Sequence, residues 1–298
     1  MTARIDGTIL HNLAVGDVDG VLDQLIALGG SHRAVFDNST QPGSRLAIEM
    51  KCAERRIHLI TDPRGNVGTA VGLNRLLSYA NEQGCEWLHY LDQDSRIDSN
   101  YEAQLAAELA ESSAIALGCS YHEPGRTGLL PSAPKLTRFL ISSGTAFNVS
   151  KSLAVGGFAE QLFLDTVDTE FSLRARKYGY ILQTSSMRSI CHTIGAGASD
   201  VGRLTLTQHP EWRRIQMWRN TIFITKAYVV SQPTDIAKHV AVRLVETLLQ
   251  ALKTRSTASL RLAVKGIVQG LKGQFAPPKP PGAVEGHSIS RDRSDNIQ

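Results

Sequence analysis

Two aspartates one residue apart, Asp92 and Asp94 in the stretch LHYLDQDSRID over residues 88–98, follow directly on an apolar run. Carboxylates that close repel each other unless something positive sits between or beside them. A hard divalent cation fits, since it takes one or two carboxylates and keeps positions for waters and phosphates. The plainer reading is a solvated turn, because Asp and Ser side chains bond nearby backbone amides. The choice between the two depends on where the surrounding elements place the pair.

Those elements alternate. Val18, Val21, Leu22, Leu25, Ile26 and Leu28 form a helical stripe over residues 17–29, closed by Gly29 and Gly30. Ala34 to Phe36 read as a short buried strand ending in the turn-forming Asp37-Asn38-Ser39. A helix over 43–53, a strand over 57–61, a helix opening at the glycine-rich Asn66-Val67-Gly68, a strand over 86–91 and a further helix follow. Strands alternating with helices of this length predict βαβ units and a Rossmann-like, mostly parallel sheet flanked by helices. Such sheets bind ligands beyond the carboxyl ends of their strands. Asp37 and the Asp92/Asp94 pair both fall at such ends, which moves the pair from turn to ligand site.

Further along, residues 114–119 read as a strand, and residues 136–150 as a strand pair around Ser143-Gly144. A helix follows residue 164, with Phe171, Leu173 and Tyr178 in its core face and Arg174 and Arg176 more exposed. Residues 1–234 are expected to form the main domain. Residues 235–273 form a basic amphipathic segment with seven Lys/Arg against Asp235 and Glu246. Residues 274–298, rich in Pro, Gly, Ser and charge, are expected to be disordered.

Composition bounds the function. The apolar fraction of 42% and charged fraction of 20% are those of an ordinary soluble globule, and a net charge of +4 gives no reason to expect nucleic acid. Four cysteines without a Cys-x-x-Cys indicate neither a zinc knuckle nor a redox pair, and fit a reducing cytoplasm. No apolar run reaches the ~18 residues of a spanning helix. Neither a dinucleotide glycine fingerprint nor a phosphate loop ending in Gly-Lys-Ser/Thr is present.

The order of motifs is more specific than any one of them. Asp37-Asn38-Ser39, Asn66-x-Gly68, Asp92-x-Asp94, Ser143-Gly144-Thr145-Ala146, Asp165-x-x-Asp168-x-Glu170 with Arg174, Arg176 and Gly179, then His192 and Arg219-Asn220, resemble the inverting family 2 glycosyltransferases of GT-A fold. LDQDS, FLDTVDTEFSLRARKYGY and HTIGAG are most similar to the bacterial rhamnosyltransferase branch, which builds O-antigens and other polysaccharides from dTDP-rhamnose. The resemblance runs from about residue 8 to about residue 270.

It implies a Mg²⁺ or Mn²⁺ ion, with Asp94 as direct ligand, Asp92 on ribose or a metal-bound water, and His192 as a further ligand. It implies that Asp37 reads the uracil or thymine ring, that Asn66 and Gly68 let a helix N-terminus approach the nucleotide, and that Arg219 neutralises diphosphate. Asp168 falls in register with the family's general base, and Asp165 is the fallback. All three acids of the helix start also suit its dipole. The implied donor is a dTDP- or UDP-sugar and the acceptor a glycan or lipid-linked glycan. One departure is that TILHNLAVGD offers only His11-Asn12 where the branch usually has a Thr-Tyr-Asn-Pro-like turn.

Other classes fit less well. A phosphatase of the Asp-x-Asp type would need Thr or Val where Arg96 stands, and Arg96 also occupies a ligand position of a calcium loop. An inactive sugar-binding or assembly subunit, or a UDP-hexose transferase, are the alternatives. The basic segment reads either as a helix packed on the main domain or as a peripheral contact with anionic membrane.

Overall fold

The structure is a computed structural model that describes residues 3–97, 100–122, 135–192, 199–201, 204–206 and 209–275. Its first half alternates β1 (Arg4–Leu10), α1 (Val15–Ala27), β2 (His32–Asp37), α2 (Pro42–Glu54), β3 (His58–Thr61), α3 (Thr69–Glu82) and β4 (Trp87–Tyr90). These strands lie side by side in the order β3-β2-β1-β4, all parallel. The βαβ expectation is met here.

The second half contains β5 (Ser95–Ile97), α4 (Tyr101–Glu111), β6 (Ala116–His122), β7 (Lys135–Thr137), β8 (Thr145–Asn148), α5 (Val149–Ala154), α6 (Val167–Lys177) and β9 (Leu182–His192). A hairpin of β10 (Ser199–Val201) and β11 (Leu204–Leu206) precedes α7 (Glu211–Tyr228), α8 (Pro233–Thr254) and α9 (Ala258–Leu271). The main sheet continues β4-β8-β6-β9-β5, and only the β6–β9 pair in this half is parallel. The sheet is therefore parallel in its first half and mixed in its second. β7 and β8, read from the sequence as a pair, do not pair with each other: β8 lies between β4 and β6, and β7 runs antiparallel to β9.

Alternation along the strands sends side chains into two cores. Leu88 and Tyr90 of β4 join Leu73, Leu76 and Leu77 of α3 and Val167 and Phe171 of α6 on one face. Trp87 and Leu91 join Val18, Leu22 and Leu25 of α1, Ile48 of α2 and Leu105 of α4 on the other. Each fully buried Leu or Phe contributes about 1.5–3 kcal/mol. Two expected core positions are outside these cores. Ile26 sits at the edge of the α1 stripe and is 37% exposed, and Tyr178, just past the last turn of α6, is 65% exposed. Arg174 and Arg176, expected to be more exposed, are instead largely buried in ion pairs with Glu170 and Asp235.

The basic segment is two helices, not one. Leu173, Ile224, Tyr228 and Ile236 form a small third core joining α6, α7 and the start of α8. Residues 276–298, expected to be disordered, lie outside the described residues.

Candidate active site

The loops after β1, β2 and β4 meet at the carboxyl edge of the parallel strands. Asn12 Oδ1 accepts the backbone N–H groups of Thr40 (2.8 Å) and Gln41 (3.0 Å). His11 Nδ1 shares a 2.8 Å bond with the Asn38 carbonyl, and the His11 N–H donates to Gln93 Oε1, also at 2.8 Å. His11-Asn12 thus ties the three loops together. Asp37, at the end of β2, is buried; its Oδ1 accepts the Ser39 N–H (2.9 Å) and its Oδ2 lies 3.7 Å from Arg45 Nε.

Asn38 bridges to the next loop by donating to Asn66 Oδ1 (2.9 Å) and accepting from the Val67 N–H (2.8 Å). Gly68 has φ +89°, and a Cβ there would overlap the Phe163 carbonyl. Gly68 thus admits a close approach by residue 163. The glycine is required by chain packing.

The residues between β7 and β8 organise the acidic groups. Ser143 Oγ accepts the Asp92 N–H (2.9 Å) and shares a 2.8 Å bond with Ser95 Oγ. Ser142 Oγ donates to Asp168 Oδ1 at 2.7 Å. The Gly144 N–H donates to the Tyr90 carbonyl (2.8 Å), and the Tyr90 phenol donates to Asp92 Oδ1 at 2.5 Å. Three consecutive residues hold Asp92, Ser95 and Asp168 in one place. Burial first, and then the carboxylates of Asp92, Asp168 and Asp94, hold the Tyr90 phenol well above its ordinary pKa. The three acids share one electrostatic neighbourhood.

This turn is pinned from the α4 side. Arg188 is fully buried, and its Nη1 donates to the Gly144 carbonyl (3.1 Å) and to the Tyr101 hydroxyl (2.7 Å), while its Nε pairs with Glu108 at 2.6 Å. Tyr101 in turn donates to the Gly144 carbonyl at 3.2 Å. Gly144 has φ +71°, and a Cβ there would overlap Cys119 Sγ. Gly144→Ala is expected to lose about 1–3 kcal/mol of stability, the cost of a strained backbone that cannot relax into open space. Urea denaturation would show the lowered midpoint.

The acids at the start of α6 have distinct surroundings. Asp165 is clasped by Arg213, with Nε–Oδ2 at 3.1 Å and Nη2–Oδ1 at 3.0 Å. Glu170 is buried, paired with Arg174 at 2.7 Å and accepting from the Tyr228 hydroxyl at 2.5 Å. Asp168 is half-buried with the single Ser142 hydroxyl on it, and it has no cationic partner among the described residues. Burial, and the Asp92 and Asp165 carboxylates beyond it, push its pKa up to about 6 against the Ser142 hydrogen bond. A carboxylate titrating there can accept a proton near neutral pH.

The remaining expected residues are less central. Pairing of β5 with β9 sets the His192 backbone opposite Ser95, next to Asp94 in the chain; the His192 side chain lies outside the described residues. Arg219 is not a surface arginine. It is 3% exposed, donates from Nε to Asn220 Oδ1 (3.2 Å) and lies 5.8 Å from the Phe275 ring, with its backbone against α9. Arg213, passed over in the sequence, is the α7 arginine that reaches the α6 acids. Among the described residues, no group of three His, Cys, Asp or Glu side chains could hold an ion unaided. A hard ion completed by phosphate oxygens and waters needs only one or two carboxylates, such as Asp92 and Asp94 could supply.

Parallel strands with carboxylates at their carboxyl edge, running into a mixed sheet, are the architecture of the GT-A glycosyltransferases. S. aureus TarS 1-349 in complex with UDP superposes with a TM-score of 0.53 at 14% identity, covering 92% of each chain. GalNAc-T7 crystallised with UDP, GalNAc and Mn²⁺ gives a TM-score of 0.52 at 13% identity, over 65% of this chain and 44% of that one. The chain has the GT-A fold of these glycosyltransferases. In sequence it is similar to the dTDP-rhamnosyl transferase RfbF of Shigella flexneri, 25% identical over 258 residues, or 80% of this chain and 86% of the relative. No family model matches the chain.

Proposed function

We propose that this protein is an inverting, metal-dependent glycosyltransferase of the family 2 type. It moves rhamnose from dTDP-rhamnose to a glycan or lipid-linked glycan in polysaccharide or O-antigen assembly. The gathering of Asp92, by its backbone N–H, and Asp168, by its carboxylate, on the adjacent hydroxyls of Ser143 and Ser142 carries the reading, because it brings a donor-side acid and a proton acceptor into one neighbourhood. The similarity to RfbF supports the choice of donor.

In the reaction, Asp168 accepts the proton of the acceptor hydroxyl as that oxygen bonds to the anomeric carbon. The bond from that carbon to the diphosphate oxygen breaks, and the electron pair leaves with dTDP. Ser142 holds the Asp168 carboxylate in position; Tyr90 holds that of Asp92, whose backbone N–H is fixed by Ser143. A Mg²⁺ or Mn²⁺ ion held by Asp94 and Asp92, with His192 as a further ligand whose backbone pairs opposite Ser95, would supply Lewis-acid stabilisation of the diphosphate. Asp37 and the Asn38–Asn66 bridge shape the wall on which the base would rest. We assign diphosphate contact to Arg213 in preference to Arg219, because Arg213 already reaches the acids of α6.

Incubation with dTDP-rhamnose and Mn²⁺ tests the reading. Slow release of dTDP without acceptor, faster with a lipid-linked glycan, is expected. Release from UDP-hexoses alone would reassign the donor, and binding without any release would identify a non-catalytic sugar-binding subunit.

A further inference from the structure

We infer that the α8–α9 hairpin is a docking surface for anionic lipid bilayer, centred on the turn at residues 255–257. The inference goes beyond the transferase reading and does not depend on it.

The inner face of α9 is made of small residues, Ser259, Ala263, Gly266 and Gly270, which let it lie close on α7. Four of its larger apolar side chains, Leu260, Val264, Val268 and Leu271, consequently remain exposed. In α8 only Asp235 and Ile236 are buried, and Leu244, Leu248 and Leu252 recur every four residues along an exposed stripe. Leu260, Val264 and Val268 do the same on α9, and Leu271 is exposed at its end. Leu252, next to the turn, is 73% exposed. A helix packed only for stability would bury such a stripe. These residues remain in water, forming apolar surface on two adjoining helices of the kind that marks an interaction site.

Charge selects the occupant. Lys253, Arg255, Arg261 and Lys265 surround the turn, and Lys238 and Lys272 lie further along. The two acids of the segment are already engaged, Asp235 by Arg138 (2.6 Å) and Arg176 (2.9 Å), and Glu246 by Arg243 (2.8 Å). A second copy of the chain meeting this face would set cations against cations. Residues 276–298 contain only Val284, Ile289 and Ile297 as large aliphatic residues, too few to cover two stripes. An anionic lipid surface answers both components: the headgroups take the Lys and Arg, and the acyl boundary takes the leucines. No helix among the described residues is long and apolar enough to cross a membrane, so the contact is from one side.

Position gives the contact a use. Arg214 Nη1 donates to Ser259 Oγ at 3.1 Å, so the turn lies at the same end of α7 as Arg213 and Asp165. Docking there would bring the edge of the acidic site to the lipid surface.

Flotation of the full chain with phosphatidylcholine vesicles, with and without phosphatidylglycerol, tests this. The chain is expected to float with the anionic vesicles only, less as NaCl is raised. A Leu252→Glu/Leu260→Glu variant is expected to lower the vesicle-bound fraction by about tenfold or more, with melting temperature and release of dTDP from soluble donor unchanged. A chain ending at Phe275 is expected to float like the full one. Failure of the folded wild type to float, equal flotation of the Glu variant, or dependence on residues 276–298 would overturn the inference. So would a wild-type dimer that the Glu variant converts to monomer. Flotation without dTDP release would retain this inference while removing the transferase reading.

Discussion

Asp168→Asn is expected to bind donor and cation as the wild type does and to transfer sugar roughly 100-fold or more slowly, the scale of a lost general base. Asp165 is clasped by Arg213, and Glu170 is buried against Arg174 and Tyr228, so both carboxylates are already engaged by structural partners. Asp168 has one hydroxyl on it and titrates at about 6. Its active form is the carboxylate, so kcat/KM is expected to rise with pH through about 6 and to level off above. A pKa raised on folding also has a stability sign. Between the unfolded carboxylate range and about 6 the native state binds the extra proton, and stability falls as pH rises through that window. At neutral pH the ionised group therefore destabilises the fold, and the Asn variant should be at least as stable as wild type. Loss of turnover in a protein that melts no earlier would separate chemistry from folding. Asp165→Asn causing that loss in place of Asp168→Asn would move the base one turn back.

Removal of the cation, by EDTA or through Asp94→Ala, is expected to abolish nearly all transfer, because the diphosphate leaving group would lose its bridge to the protein. Asp94 is exposed at the edge of the site, and Asp92 is anchored by Ser143 and Tyr90. Asp94→Ala should therefore leave the fold intact, whereas Asp92 substitutions also disturb the turn. An Asp94→Ala enzyme with near-normal turnover would end the metal assignment.

The parallel half of the sheet was legible because each of its strands is a short apolar run between helix-period segments. Asp92-x-Asp94 could be placed at a strand end on that basis alone. The mixed half was not, since apolar alternation marks a strand without naming its partner, and β5, three residues of Ser-Arg-Ile, is too short to show a period. The roles expected of Asp168 and Asp94 came from resemblance to a family. The surroundings that distinguish Asp168 from Asp165 and Glu170 came from contacts that no local pattern carries. Ser142 lies 26 residues from Asp168, and Ser143 lies 51 from Asp92. The Ser-Ser-Gly-Thr run was the available signal, since that composition favours a turn with free hydroxyls. Arg188 reads as a surface residue in SSMRSI, and only Glu108, 80 residues earlier, makes its burial affordable. Sequence does not reveal which face of α7 meets α9, and so gives no sign that Arg213 reaches the α6 acids while Arg219 lies against α9.

The account is tested most directly by the thermal stability of the wild-type protein and Asp94→Ala with dTDP-rhamnose, dTDP, UDP and GDP, each with and without Mn²⁺. Ligand at about 100 times its Kd adds about 2.7 kcal/mol to the native state. The wild type is expected to be stabilised by dTDP-rhamnose and dTDP above the other nucleotides, only when Mn²⁺ is present, and Asp94→Ala is expected to lose that rise. Equal stabilisation without the cation, or an undiminished rise in Asp94→Ala, would contradict a donor held through metal at this site.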